Sequence, residues 1–238
     1  ASIEVTLSPE TDYISVINNS VTVNDTTGFH ELKIERNWLH ETNDFLITGN
    51  LMDTTSVDTL YRNIEDPTMF TGTVFREILE VRNVPVKSIE KGNLPIDFRV
   101  LASHRSAPLF ESVTNMMKES DNLTAELLIK TMGRENSGTQ GTWKNGLIAI
   151  KTFLNDEVGI DTTSLRIADG SGVSRYNLTS PAQLVKLLKF AYERKDIGKP
   201  FLTTFPVGGW DGTLQKRMEY SSADQRIHAK TGTLAGVS

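Results

Sequence analysis

At 238 residues, with 38% hydrophobic and 23% charged residues, the chain has a globular composition and enough length for one large domain or two modest ones. A net charge of −5 argues against general nucleic-acid binding, and the densest basic stretch, from Lys186 to Lys199, is diluted by apolar residues and two acids, as on a solvated helix face. The absence of cysteine excludes disulfides and thiolate sites but leaves the compartment open, and no apolar run approaches the roughly 20 residues of a membrane span.

A polar, strand-like stretch follows Ala1 at once, with no visible secretion signal. Residues 1–65 read as β. Short β-rich stretches at 13–17 and Val21–Val23 flank Asn18-Asn19-Ser20, a plausible hairpin turn. Leu32 and Ile34 alternate with Lys33 and Glu35, and Phe45 and Ile47 repeat this period of two. From Asp66-Pro67 onward Phe70, Val74, Phe75, Ile78 and Leu79 recur at helical spacing. A loop covers 83–95. Pro108 then stands where a first helical residue belongs, before an apolar stripe of Leu109, Val113, Met116 and Met117. The pattern predicts further helices over 123–132, with Gly133 as C-cap, over 143–154, and after Ser180-Pro181. Residues 226–230 read as a strand. The resulting fold class is mixed α/β (α+β): a small β domain over 1–65, then an α/β domain over 66–238.

Two triplets carry the chemistry. Ser120-Asp121-Asn122 falls at a helix–helix junction, where Ser120 and Asn122 can face one cleft while Asp121 points away. Cutting an amide requires a proton carrier and a polar group that holds the substrate backbone, which a hydroxyl and a carboxamide supply. The competing reading is that Ser120 or Asp121 simply N-caps the following helix, with Glu126 as a dipole partner. In Lys230-Thr231-Gly232, Lys230 gives a fixed charge, Thr231 a hydroxyl and Gly232 room for close backbone approach. That set suits a substrate carboxylate, and the backbone N–H of Thr233 can face a developing oxyanion. The bland alternative is a strand running into a Gly turn with Lys230 solvated. The four histidines, His30, His40, His104 and His228, have no ligand spacing, and no metal or cofactor is implied.

With both triplets in this order, the chain resembles the penicillin-binding proteins of the D-alanyl-D-alanine carboxypeptidase/endopeptidase type, the DacB-like group. The stretches 103–109, 120–126, 169–177 (Asp-Gly-Ser-Gly-Val-Ser-Arg-Tyr-Asn) and 209–214 (Gly-Trp-Asp-Gly-Thr-Leu) carry the likeness across residues 95–238. The β region resembles, more weakly, the domain this family inserts between its first and second signatures. The resemblance implies part of an α/β/α penicillin-recognising (β-lactamase-like) domain and a serine acyl-enzyme mechanism. Its expected partners are peptidoglycan stem peptides and β-lactams, in a periplasmic or otherwise extracytoplasmic location. Ser120 would shuttle protons and Asn122 hold the substrate amide. Lys230 would support the proton network, Thr231 bind the carboxylate and Thr233 serve the oxyanion hole. Val173 and Arg175 would border the side-chain pocket.

One signature departs from the pattern. The family's nucleophile lies in a helical Ser-x-x-Lys, where the lysine one turn on can take the serine's proton. The single match here, Ser88-Ile89-Glu90-Lys91, lies between Pro85 and Gly92 with no apolar stripe to support a helix. It also follows the β region instead of preceding it. The expectation is therefore an internal segment of a longer chain, lacking the nucleophile and, past Ser238, terminal strands and a helix. Two alternatives stand beside the enzyme: a non-catalytic module that binds D-Ala-terminated peptides, and another penicillin-fold serine hydrolase.

Overall fold

The computed structural model describes residues 3–24, 30–55 and 59–234. Ala1 and Ser238, the ends named above, lie outside them. The chain forms two compact units, Ala1–Leu101 and Ala102–Ser238.

The first unit contains strands β1 (Ser15–Asn18), β2 (Val21–Val23), β3 (Leu32–Arg36) and β4 (Asp44–Met52), followed by helix α1 (Pro67–Val81). Strand β4 is central. Its Phe45 and Ile47 are buried, as the period of two predicts. The expected hairpin at Asn18-Asn19-Ser20 does not form. Strands β1 and β2 both run parallel to β4 and keep one register, Asn18 opposite Ile47 and Val21 opposite Asn50. A two-residue link is too short for a crossover between parallel strands, so β1 and β2 form one interrupted edge strand. The interruption is local: the Asn18 carboxamide accepts from the Ser20 N–H at 3.1 Å, and Asn19 N–H still donates to the Ile47 carbonyl at 2.8 Å. Asn18 therefore satisfies the backbone that a hairpin turn would have reversed. Strand β3 pairs with β4 antiparallel.

Helix α1 begins where the texture changed. Asp66 accepts from Met69 N–H and Pro67 occupies the first turn, as capping rules require. Lys91 sits 2.6 Å from the Asp66 carboxylate and holds its pKa below the ordinary value. Ser88 to Lys91 has no regular structure, and Ile89 packs over Gly72. The serine and lysine spacing there is thus not presented on a helix.

The second unit contains α2 (Leu109–Glu119), α3 (Asn122–Ser137), α4 (Trp143–Asp156), α5 (Pro181–Glu193) and α6 (Gly198–Thr204). Helix α5 starts with a full capping box between Ser180 and Gln183. Leu154, Val158, Ile160 and Leu165 form the core, with Ile150, Leu187 and Phe190 packed against it. Two expectations change. Gly133 does not cap α3, which continues to Ser137 and ends at Gly138 in the left-handed region. Instead Gly133 and Gly146 are the contact between α3 and α4: a Cβ on Gly133 would lie 2.6 Å from Gly146 N, and one on Gly146 only 2.1 Å from the Ile129 carbonyl oxygen. Residues 226–230 form no continuous strand. Only His228 bridges, to Val207, flanked by Ala229 N–H to Pro206 O at 3.0 Å and Gly208 N–H to Ile227 O at 2.9 Å. Pro206 has no N–H to return, so the ladder stops.

The helix crossing gives a test with opposite signs. Alanine favours a helix over glycine by about 1 kcal/mol, but overpacking costs about 1–3 kcal/mol, and at 2.1 Å from backbone the clash dominates. Gly146→Ala is expected to lower urea-unfolding stability by about 1–3 kcal/mol. Gly92→Ala, with nothing within 4 Å of its new methyl, should be neutral or slightly stabilising. Equal effects would contradict the tight crossing.

Candidate active-site groove

The junction between α2 and α3 is built by two different caps. Ser120 closes α2 with φ 58° and ψ 46°, its N–H bonded to the Met116 carbonyl. Asp121 opens α3 by accepting from Leu123 N–H at 2.9 Å and from the Thr124 hydroxyl at 2.5 Å. The capping reading of this triplet therefore holds for Asp121 and does not exclude the chemical one. Asp121 does the capping, and the Ser120 hydroxyl is left to face outward. Asn122, the first residue of α3, is exposed.

The Ser120 hydroxyl meets the second triplet. Lys230 Nζ donates to Ser120 Oγ at 2.6 Å and to the Thr231 carbonyl at 2.7 Å. Residues 110 positions apart in sequence thus share one hydrogen bond. Burial lowers the Lys230 pKa, because partial desolvation penalises the ammonium. A lysine nearer its neutral form beside a hydroxyl can take up and return protons. The Thr231 hydroxyl bonds to that of Thr213 at 2.8 Å, tying the Lys-Thr-Gly segment to the 209–214 loop.

Both triplets open into one groove of about 990 Å³. Ser120, Asn122, Val173, Arg175, Lys230, Thr231, Gly232 and Thr233 all line it. Every residue singled out from sequence for this site therefore lines the same groove. Among the described residues no group of three His, Asp or Glu side chains is placed to hold a metal ion.

The far wall is the 169–177 loop, and carboxylates shape it. Its neck is closed by reciprocal backbone bonds between Arg166 and Leu178, at 2.9 and 2.8 Å. Inside, Asp169 accepts from Gly172 N–H (2.8 Å), Ser174 N–H (2.6 Å) and the Asn177 carboxamide (2.8 Å). From outside, Glu126 on α3 accepts from Gly170 N–H at 3.2 Å, Ser171 N–H at 3.0 Å and the Trp143 indole at 2.7 Å. Burial pushes the Glu126 pKa up, but hydrogen bonding from the Ser171 side chain, with that from the Trp143 indole and the two N–H groups, outweighs it and the net displacement is downward. Sequence reasoning assigned Glu126 to the helix dipole and gave Asp169 no role. The Asp-Gly-Ser-Gly spacing was the available signal, since an acid before two glycines often organises a loop on its own carboxylate.

A third acid joins the two triplets mechanically. Lys118, two residues before Ser120, donates to Asp211 Oδ2 and to the Phe205 carbonyl, both at 2.6 Å. Asp211 Oδ1 accepts from Val207 N–H at 2.8 Å. Desolvation raises the Asp211 pKa, yet the Lys118 and Val207 bonds prevail and lower it overall. Gly212 lies against the Lys118 backbone, where a Cβ would meet the carbonyl oxygen at 2.6 Å. The pair thus fixes the 206–213 segment to the end of α2.

Comparison with known proteins follows the same outline. A family model described as the D-Ala-D-Ala carboxypeptidase 3 (S13) family matches residues 2–238. The D-alanyl-D-alanine carboxypeptidase of Actinomadura sp. (strain R39) is 37% identical over 206 residues, covering 83% of this chain and 38% of that protein. The D-alanyl-D-alanine carboxypeptidase DacB of Haemophilus influenzae is 34% identical over 145 residues, 60% of this chain and 30% of its own length. The chain therefore spans well under half of these curated relatives. Penicillin binding protein 4 (dacB) from Haemophilus influenzae, crystallised with a novel β-lactam, has a similar fold: TM-score 0.73 at 24% identity, over 93% of this chain and 51% of that one.

Two outcomes follow from this geometry. Because burial disfavours its ammonium, Lys230 should react with an amine-selective reagent at lower pH than the other lysines, as followed by peptide mass spectrometry. Reaction in step with exposed Lys189 would count against it. Asp211→Asn leaves Lys118, whose side chain is 16% exposed, without its counter-charge. A loss of about 1–3 kcal/mol in urea unfolding is expected, at the lower end to the extent that solvent reaches Asp211.

Proposed function

The chain belongs to the D-Ala-D-Ala carboxypeptidase 3 (S13) family, and from that premise we propose that its groove receives the D-Ala-D-Ala end of a peptidoglycan stem peptide, or a β-lactam that imitates it. The observation that carries this reading is the 2.6 Å contact between Lys230 Nζ and Ser120 Oγ. Beside the Asn122 carboxamide and the Gly232 edge, in a groove that also has leucine and isoleucine walls, it supplies both a positive charge for a terminal carboxylate and a proton path for a leaving amine.

The roles follow from placement. Ser120 passes a proton between Lys230 and the leaving nitrogen. Asn122, exposed at the start of α3, holds the substrate amide. Thr231 donates its hydroxyl to Thr213; to bind the substrate carboxylate beside Lys230 it turns that one proton to the carboxylate and accepts from Thr213 instead. Gly232 admits the substrate backbone closely, and Thr233 N–H faces the oxyanion. Val173 and Arg175 border the residue that precedes D-Ala-D-Ala. Residues 1–65 correspond to the β-rich domain inserted in this family, and 66–238 to part of its penicillin-recognising domain. The reaction is serine-type carboxypeptidase or endopeptidase cleavage through an acyl-enzyme, outside the cytoplasm where the polymer lies.

The acylating serine comes from a Ser-x-x-Lys element other than Ser88 to Lys91, because that stretch is not helical and Lys91 is committed to Asp66. The same observation favours a second reading for this stretch taken alone, in which it binds the peptide without cutting it.

Calorimetric titration with N-acetyl-L-lysyl-D-Ala-D-Ala tests the recognition step. Binding to the 238-residue chain is expected, weakened about 10–100-fold in Thr231→Ala, the range for one hydrogen bond to a charged group. No affinity in the unmodified chain would refute the reading. A labelled penicillin should not survive denaturation on this chain; covalent label that disappears in Ser88→Ala would reinstate Ser88 as nucleophile.

A further inference from the structure

Resting on that reading of the groove, we propose that Glu126 is a positioning residue for substrate specificity: it clamps the 169–174 loop to the helix that presents Asn122. The two oxygens of this carboxylate gather three donors from two segments. Gly170 and Ser171 N–H come from the loop, and the Trp143 indole comes from the start of α4. Glu126 itself is one helical turn beyond Asn122 on α3, so both side chains belong to the same rigid turn. Asp169 folds the loop on itself, and among the described residues the hydrogen bonds that tie it to α3 are those to Glu126.

A second observation is independent of the charge. Gly170 lies flush on α3, where a Cβ would sit 2.6 Å from the Ala125 carbonyl oxygen and 2.9 Å from Ile129 Cδ1. The backbone approaches as closely as it can, and the carboxylate holds it there. Trp143 is fixed from a further side by the Lys130 ammonium, 4.0 Å from the ring centroid. The groove wall at Val173 and Arg175 is therefore set at a defined distance from Asn122. Glu126 touches no reacting atom. Its effect should fall on the substrate residue that contacts the loop, and spare the D-Ala-D-Ala unit held by Asn122, Lys230 and Thr231.

The experiment compares Glu126→Gln, Glu126→Ala and Gly170→Ala with the unmodified chain. Gln keeps the length and one acceptor oxygen, so it should retain part of what Ala loses. Gly170→Ala displaces the loop without altering any charge. In Glu126→Ala and Gly170→Ala, affinity for N-acetyl-L-lysyl-D-Ala-D-Ala should fall tenfold or more, while that for N-acetyl-D-Ala-D-Ala stays within twofold. Hydrogen exchange of the amides at positions 170 and 171, followed by NMR, should rise at least tenfold in both, with α4 amides unchanged. Equal loss for the two ligands, or unchanged exchange at positions 170 and 171, would overturn the proposal. If the unmodified chain binds neither ligand, the peptide-recognition reading fails on its own, and the exchange comparison alone decides the clamp.

Discussion

The Lys118–Asp211 ion pair is the interaction on which the geometry of the groove depends. It joins the last turn of α2 to the loop before Thr213; Lys118 stands two residues from Ser120, and Asp211 two residues from Thr213, the hydrogen-bond partner of Thr231. An isolated pair at a protein surface contributes little, but here each charge also completes backbone bonds. Lys118 satisfies the Phe205 carbonyl and Asp211 the Val207 N–H, so the pair orders the segment that bridges to His228. The meeting of Lys230 with Ser120 follows from that alignment. Two short stretches, each weak as a signal, become one site because a cation and an anion outside both of them fix the spacing.

The acids of this unit act as scaffold. Asp121 starts a helix, Asp169 winds a loop, Glu126 anchors that loop and Asp211 ties down another. Each one accepts backbone N–H groups that would otherwise lack partners. Beside the apolar side chains of the groove, its polar lining then includes the Ser120 hydroxyl, the Asn122 carboxamide and the cations Arg166, Arg175 and Lys230, while Asp169 is spent on its own loop. A chain with net charge −5 thus presents a surface suited to an anionic carboxylate. Placement, and not composition, sets the local electrostatics.

Much of this was legible in the sequence, for reasons that can be stated residue by residue. Helices α1 and α5 announced themselves because Asp66-Pro67 and Ser180-Pro181 combine a cap with a favourable first residue. The two triplets could be placed at a junction and near an extended edge, and their convergence was expected before any geometry was known. The failures share a cause. Gly133 was assigned as a stop signal, since a glycine at the end of an apolar pattern usually is one. Its actual reason is Gly146, a partner thirteen residues away on another helix. Asn18-Asn19-Ser20 has the composition of a turn, but the register of β4 keeps the chain moving forward. The expected strand at 226–230 depended on a partner segment whose Pro206 lacks a donor. Glu126 looked like a helix-terminus acid because its donors, Gly170 and Ser171, are more than forty residues on. Local propensity is readable from neighbours, whereas these features are decided by distant segments.

The left-handed backbone at Ser120 carries a last implication. A side chain other than glycine in that conformation costs on the order of 1 kcal/mol, and glycine would relieve it. Yet glycine would remove the only hydroxyl that Lys230 meets across the two triplets. At this position the proposed role and the backbone preference therefore pull in opposite directions. A search for more stable versions of this domain would be drawn first to the very atom on which the proposed proton path rests.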